Sequence, residues 1–240
     1  MKKIVKVMCL AALMVSMSFG ANAQMRQSIY LNLNAPTGGW SKQMEGNYTL
    51  PLTYTGIGKD ASAGFGLGYR VSYRFDVGVG LVAPFAQADF FWNTISGDLS
   101  DDYTQARAKA TPTYFNIPIQ LGITYFYDEL WSNITPYAEF GLGTDLMMIT
   151  AEGPFTIAGI DYGKYSYKTN AAFAFSLGVG AFFGEHVSAG LYYYGMGKHT
   201  IEYTSSTYNS LNPVEQGLYD NGDVETRTVG SLALRIGFHF

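Results

Sequence analysis

After its first 23 residues this chain never strings together the roughly 18 apolar residues that a membrane helix needs. It repeatedly sets an apolar side chain at every second position instead. Residues 64–75 read GFGLGYRVSYRF, with Phe65, Leu67, Tyr69, Val71, Tyr73 and Phe75 on one side and Gly66, Gly68, Arg70, Ser72 and Arg74 on the other. A period of two marks a strand with unlike faces, because successive β side chains point in opposite directions. The pattern recurs over residues 113–127, 137–148, 173–183, 186–198 and 231–240, and in a shorter form over 26–35. Residues 77–93 alternate too but change parity near Pro84, where a bulge is expected to absorb the slip. The expectation is eight amphipathic strands.

The linkers carry separate information. Residues 38–62, 94–111, 151–168 and 203–224 are long and polar, whereas 75–77, 128–133 and 183–186 are tight. Long and short connections alternating along a set of strands predict an antiparallel up-and-down arrangement with all long loops at one end. Residues 46–58 also alternate, but counting them as a spanning strand makes the total odd, so they are assigned to the first long loop. Asn221-Gly222 is a tight-turn signal within the last one.

Composition decides what the apolar face meets. Charged residues make up 14% of the chain, against about 25% in soluble domains, and aromatics reach 16%. A soluble ligand-binding barrel turns its apolar face inward and covers its exterior with Lys and Glu. The polar face here is mainly Gly, Ser, Asn and Thr, which suits a narrow, curved interior. Hydrocarbon satisfies no open sheet edge, so strands cross a membrane only as a closed barrel. The fold class expected is all-β, an eight-stranded antiparallel transmembrane barrel with short periplasmic turns and long extracellular loops.

The N-terminus agrees in topology. Lys2 and Lys3 precede an apolar stretch and the small-residue pattern Ala21-Asn22-Ala23, which reads as a signal peptide over 1–23 cleaved to leave a barrel over 24–240. Cys9, the single cysteine, falls inside the removed segment, so neither a disulfide nor thiolate chemistry is expected. Taking Lys2, Lys3 and Lys6 from the 15 basic residues leaves 12 against 19 acidic ones, a net charge of −7. That charge disfavours nucleic acid, whose phosphates need a basic footprint.

With a signal segment, eight amphipathic strands, alternating linkers and a terminal IGFHF, the chain resembles the small eight-stranded bacterial outer-membrane proteins, the group of the OmpA transmembrane domain, the OmpX-type barrels and the opacity proteins. The resemblance covers residues 24–240. It implies a Gram-negative outer membrane with its lipids and lipopolysaccharide, and a barrel-assembly machinery that reads a final aromatic preceded by alternate apolar residues, here Leu234, Ile236, Phe238 and Phe240. The tyrosine that many members carry in that signal is absent.

Charges on the polar face point to the lumen: Arg70, Arg74, Glu139 and Arg235 toward the turn end, Asp89, Asp145 and Lys198 higher. Buried charges need partners, so Glu139 is expected to bond Arg70 or Arg235 and the set to form a rigidifying plug. Girdle positions are expected for Trp92, Phe115 and Phe91 at the loop end and for Phe75, Tyr125, Tyr127, Trp131, Phe183, Phe238 and Phe240 at the turn end. His199, Glu202, Ser205 and Ser206 are the nearest approach to a lipid-hydrolysing set, yet Ile201 occupies the place where such a pattern wants serine, and His199 reads as a girdle residue. No metal-ligand spacing and no cofactor motif is present; the acidic loop residues Asp98, Asp101, Asp102, Asp220 and Asp223 match no calcium loop. The function expected is a monomeric, non-enzymatic surface-contact or structural protein that meets extracellular or host molecules through its loops. A small-solute channel is the alternative, and a lipid A-modifying enzyme the third reading.

Overall fold

The computed structural model describes residues 24–41, 48–49, 53–54, 61–78, 80–95, 113–127, 133–150, 153–157, 160–205 and 224–240. Its strands are β1 (Gln24–Gly38), β2 (Tyr48–Thr49), β3 (Thr53–Tyr54), β4 (Ala61–Asp76), β5 (Leu81–Ile95), β6 (Thr113–Phe126), β7 (Ile134–Thr150), β8 (Gly153–Ile157), β9 (Ile160–Thr169), β10 (Ala171–Phe183), β11 (Val187–Ser205) and β12 (Val224–His239). Among the described residues, eight of these pair in an antiparallel ring, β1–β4–β5–β6–β7–β10–β11–β12 and back to β1. The closing seam runs from Ser28 opposite His239 to Gly38 opposite Val229. Phe240 donates to the Gln27 carbonyl at 3.0 Å and Gln27 donates back at 2.9 Å, so the last residue is tied into the sheet. No edge survives around the ring, which is the condition for a sheet immersed in hydrocarbon.

The pleat then sorts the side chains. Leu33, Phe173, Val179, Leu191 and Leu234 are among the large apolar groups exposed on the outer face; Leu191 is 65% exposed and Phe173 64%. Water would penalise so much bare apolar surface, whereas lipid solvates it, and this band identifies the ring as membrane-spanning. Phe65, Phe90, Trp92 and Phe115 form an aromatic cluster at its loop-side margin, with ring centroids 5.0 to 6.0 Å apart in neighbouring pairs.

Four sequence expectations change here. The alternation of β5 runs unbroken through Pro84: Ala83, Phe85, Gln87, Asp89, Phe91 and Asn93 all point inward, and its pairing with β4 and β6 shows no slip at that residue. The apparent parity change arose because Phe85 and Phe91 are large apolar groups on the inner face, so Phe91 is not a girdle residue. A bulge exists elsewhere, in β11 between Gly195 and Lys198, where Gly197 adopts φ +74°. One extra residue reverses the facing of all that follow, which puts Lys198 on the outer face and turns His199 and Ile201 inward. Residues 151–168, expected as an irregular loop, contain β8 and β9, which pair with each other while β9 continues onto β11. An ordered ribbon β8–β9–β11–β12 thus extends the sheet beyond the ring at its loop end. Tyr48–Thr49 and Thr53–Tyr54 pair only with each other, outside the barrel. Residues 1–23, the acidic loop positions, Trp131, Asn221-Gly222 and Ser206 lie outside the described residues.

Candidate functional site

The lumen is the one place, among the described residues, where the chain concentrates buried ionisable groups, and the strands deliver them in register. Gly68 of β4 sits opposite Asp89 of β5, Thr124 of β6 opposite Glu139 of β7, and Asn32 of β1 opposite Arg235 of β12. Small residues beside large charged ones leave room for side chains to reach across a ring of this size.

At mid-height two guanidiniums and two carboxylates interlock. Arg70 meets both oxygens of Glu139, Nη1 to Oε2 at 2.7 Å and Nη2 to Oε1 at 2.5 Å, and its Nε donates to Gln87 at 2.7 Å. Arg235 reaches both oxygens of Asp89 at 3.1 and 3.2 Å, Glu139 at 3.4 Å, Gln87 at 3.1 Å and Asn32 at 3.1 Å. Glu139 therefore bonds both of the arginines expected as alternatives. Arg70 and Glu139 are nearly buried, and Arg235 and Asp89 completely so. The charges sum to zero and most of the donors find acceptors, which is what makes ionised groups tolerable away from water.

Aromatic rings line this knot. Arg235 lies over Tyr192 at 4.1 Å and Tyr30 at 4.4 Å, and Arg70 over Phe85 at 3.9 Å. Tyr194 contributes its hydroxyl to Asp89 at 3.2 Å, and Tyr137 and Tyr192 share a hydrogen bond of 2.7 Å. Opposite the Tyr192 ring stands Gly178, where any Cβ would collide with ring carbons. Sequence reasoning missed these tyrosines because tyrosine occurs on both faces of the strands and its parity alone assigns no role.

Above the knot, Asp145 accepts from Asn116 at 2.7 Å and lies 3.0 Å from His199 Nε2. His199 also approaches the Met196 carbonyl at 2.9 Å and, through Nδ1, the Asn170 carbonyl at 2.8 Å. The Asn170 and Met196 carbonyls can only accept, so each ring nitrogen of His199 stands opposite a backbone acceptor. Higher still, Trp40, Tyr114, Met147, Met196 and Ile201 fill the tube as an apolar stopper, with the Trp40 indole donating to the Gly230 carbonyl at 2.8 Å. Below the knot, His239 bridges Ser28 at 2.7 Å and Ser188 at 2.8 Å, and Arg74 packs over Phe126 and Phe182.

Of the residues singled out in the sequence, Arg70, Glu139, Arg235, Asp89 and Asp145 join buried lumen contacts, Arg74 lines the lower chamber, and Lys198 faces outward. Leu234, Ile236, Phe238 and Phe240 all lie on the outer face of the last strand. Among the described residues no group of three metal-ligating side chains converges. His199 has Asp145 beside it, but its nitrogens are engaged by oxygens in a solvent-free site, and no serine hydroxyl is described against it. Chemically the arrangement packs the described part of the lumen with paired charges and apolar side chains.

No protein-family model and no curated protein matches the chain in sequence. Solved structures with similar architecture include a major outer membrane protein of Thermus thermophilus (12% identity, TM-score 0.45, covering 90% of this chain and 100% of that one). Others are the outer membrane protein OprG of Pseudomonas aeruginosa (14%, 0.41, covering 92% and 96%) and Neisserial surface protein A (11%, 0.41, covering 91% and 98%). The chain's own strand pairing makes it a closed eight-stranded antiparallel barrel.

Proposed function

We propose that this protein is a non-enzymatic outer-membrane barrel of a Gram-negative bacterium, delivered through a signal peptide over residues 1–23. Its sealed scaffold holds up a loop-end surface for contact with extracellular or host molecules. The observation that supports this reading is the filling of the lumen: the Arg70–Glu139–Arg235–Asp89 knot and the cluster of Trp40, Tyr114, Met147, Met196 and Ile201 bury their side chains inside the ring, which argues against a wide path for solutes. With transport disfavoured, the remaining elaborated feature is the ribbon of β8, β9, β11 and β12, which extends past the ring on the side of the long loops. An ordered sheet held above a membrane offers backbone edges and side chains to a partner. Outer-membrane lipids and lipopolysaccharide surround the apolar band, the barrel acts as a monomer, and the assembly machinery reads Leu234, Ile236, Phe238 and Phe240.

Deletion of the gene followed by surface-attachment and detergent-sensitivity assays tests this reading, with reduced attachment or increased sensitivity expected. Unchanged behaviour in both assays, or steady single-channel conductance of the purified barrel in planar bilayers, would refute it. Lipid A mass spectra should be identical with and without the gene.

A further inference from the structure

Arg74 differs from the other cations of the lumen. Arg70 and Arg235 are each bound to carboxylates, whereas among the described residues Arg74 meets neither a hydrogen-bond acceptor nor a carboxylate. Its guanidinium is packed against two rings, 4.3 Å from the Phe126 centroid and 4.7 Å from that of Phe182. Among the described residues its planar fork of five N–H donors, partly withdrawn from water, forms no hydrogen bond, and Glu185 acts on it only through space.

Arg74 lines a chamber of about 310 Å³ at the turn end of the barrel, and Arg26 lines it too. Arg26 donates to the Glu185 backbone carbonyl at 3.0 Å, which anchors that side chain at the chamber wall. Glu185, on the exposed turn, is the one carboxylate lining the chamber among the described residues, so two guanidiniums face one acid. Asn133 and Thr135 add polar groups. Phe126 and Phe182 supply apolar walls that hold the fork in place and lower the local dielectric, strengthening attraction for an anion. The chamber reverses the sign of a chain that is otherwise acidic.

We propose that this chamber binds a small oxyanion of the phosphate type through Arg74 and Arg26. The guanidinium fork presents two parallel donors at the spacing of two oxygens on one phosphorus, which is why arginine favours such ligands. The ion enters from the turn side, since the knot of Arg70, Glu139, Arg235 and Asp89 blocks the opposite direction. Two sources present this chemistry there: free phosphate in the adjoining solvent and the phosphodiester of a lipid headgroup.

The test is a titration of the full barrel in uncharged sugar-detergent micelles with inorganic phosphate, following the arginine Nε–H resonances by NMR. Arg74 should shift saturably with a Kd on the order of 1 mM or tighter, and added sodium chloride should weaken the response. Arg74→Gln and Arg26→Gln should each lower affinity roughly tenfold, as expected for loss of a charge-assisted fork; heat-modifiability on gels verifies that both variants fold. A second arm places the barrel in phosphatidylglycerol nanodiscs without free phosphate. A shift in that arm alone supports the site and assigns it to the headgroup, and a shift with free phosphate assigns it to the solute. No movement of Arg74 in either arm overturns the proposal. Binding that emerges only in the Asp128→Asn/Glu129→Gln double variant also overturns it, because turn acids outside the described residues would then be serving Arg74.

Discussion

Replacing Glu139 with glutamine removes one of two carboxylates from a knot that holds two guanidiniums, leaving it with a net positive charge in a nearly solvent-free site. Breaking a buried pair by deleting one partner costs about 3–5 kcal/mol, because the other charge stays behind unmatched. Two features place Glu139→Gln at the lower end. Arg70 keeps its 2.7 Å bond to Gln87 and its packing over Phe85, and Arg235 keeps both oxygens of Asp89. A loss near 3 kcal/mol follows, on the order of 100-fold in the folding equilibrium. Urea titration of the barrel in lipid vesicles measures it. The double variant Arg70→Met/Glu139→Leu is the decisive companion. Removing both partners restores neutrality and fills the space with apolar atoms, so it should lose about 1 kcal/mol or less. If the double variant loses as much as the two single changes added together, the pair is uncoupled and the account of the lumen as a charge-balanced plug is wrong.

Three further outcomes follow from the same geometry. Leu191→Arg sets a charge on the most exposed apolar position of β11; on a lipid face this costs about 2–4 kcal/mol near the bilayer centre, and an unchanged urea midpoint would mean that this face meets water. Gly197→Ala forces a Cβ into the left-handed backbone of the β11 bulge and against the Phe173 carbonyl, a strain of about 1–3 kcal/mol that the same titration reads; no loss would argue that the bulge lies elsewhere. His199→Ala leaves buried Asp145 with Asn116 but without its imidazole neighbour, and frees the Asn170 and Met196 carbonyls. The Thr200 and Ile201 amides should then exchange with solvent at least about tenfold faster, the signature of local opening, and unaltered protection would deny His199 its role at the base of the ribbon.

The sequence was informative where one face of a strand differed sharply from the other. Along the membrane-spanning stretches of β4, β6, β10 and β12 the lipid-facing positions are apolar and most lumen-facing ones are small or polar, so parity, strand number and the inward turn of Arg70 and Arg235 were legible. It misled where that contrast fails. Phe85 and Phe91 fill the interior although their type belongs to either face, and they imitated a slip at Pro84. The extra residue at the Gly195–Lys198 bulge leaves only a glycine as local trace, yet it exchanges the places of Lys198 and His199. The hairpin of β8 and β9 shows no sustained contrast between its two faces, so no periodicity announced it.

Taken alone, then, the order of residues determined a lipid-facing cylinder of eight strands, because hydrocarbon imposes a two-residue rhythm that a linear chain displays openly. It also determined that acids and arginines had to meet inside. Which arginine grips which acid, why Arg74 is left without a protein partner among the described residues, and how His199 comes to lock the foot of the ribbon were decided only by closure. The ion pairs join residues as far apart as 146 positions, Asp89 with Arg235, and their distances depend on the stagger of every seam around the ring.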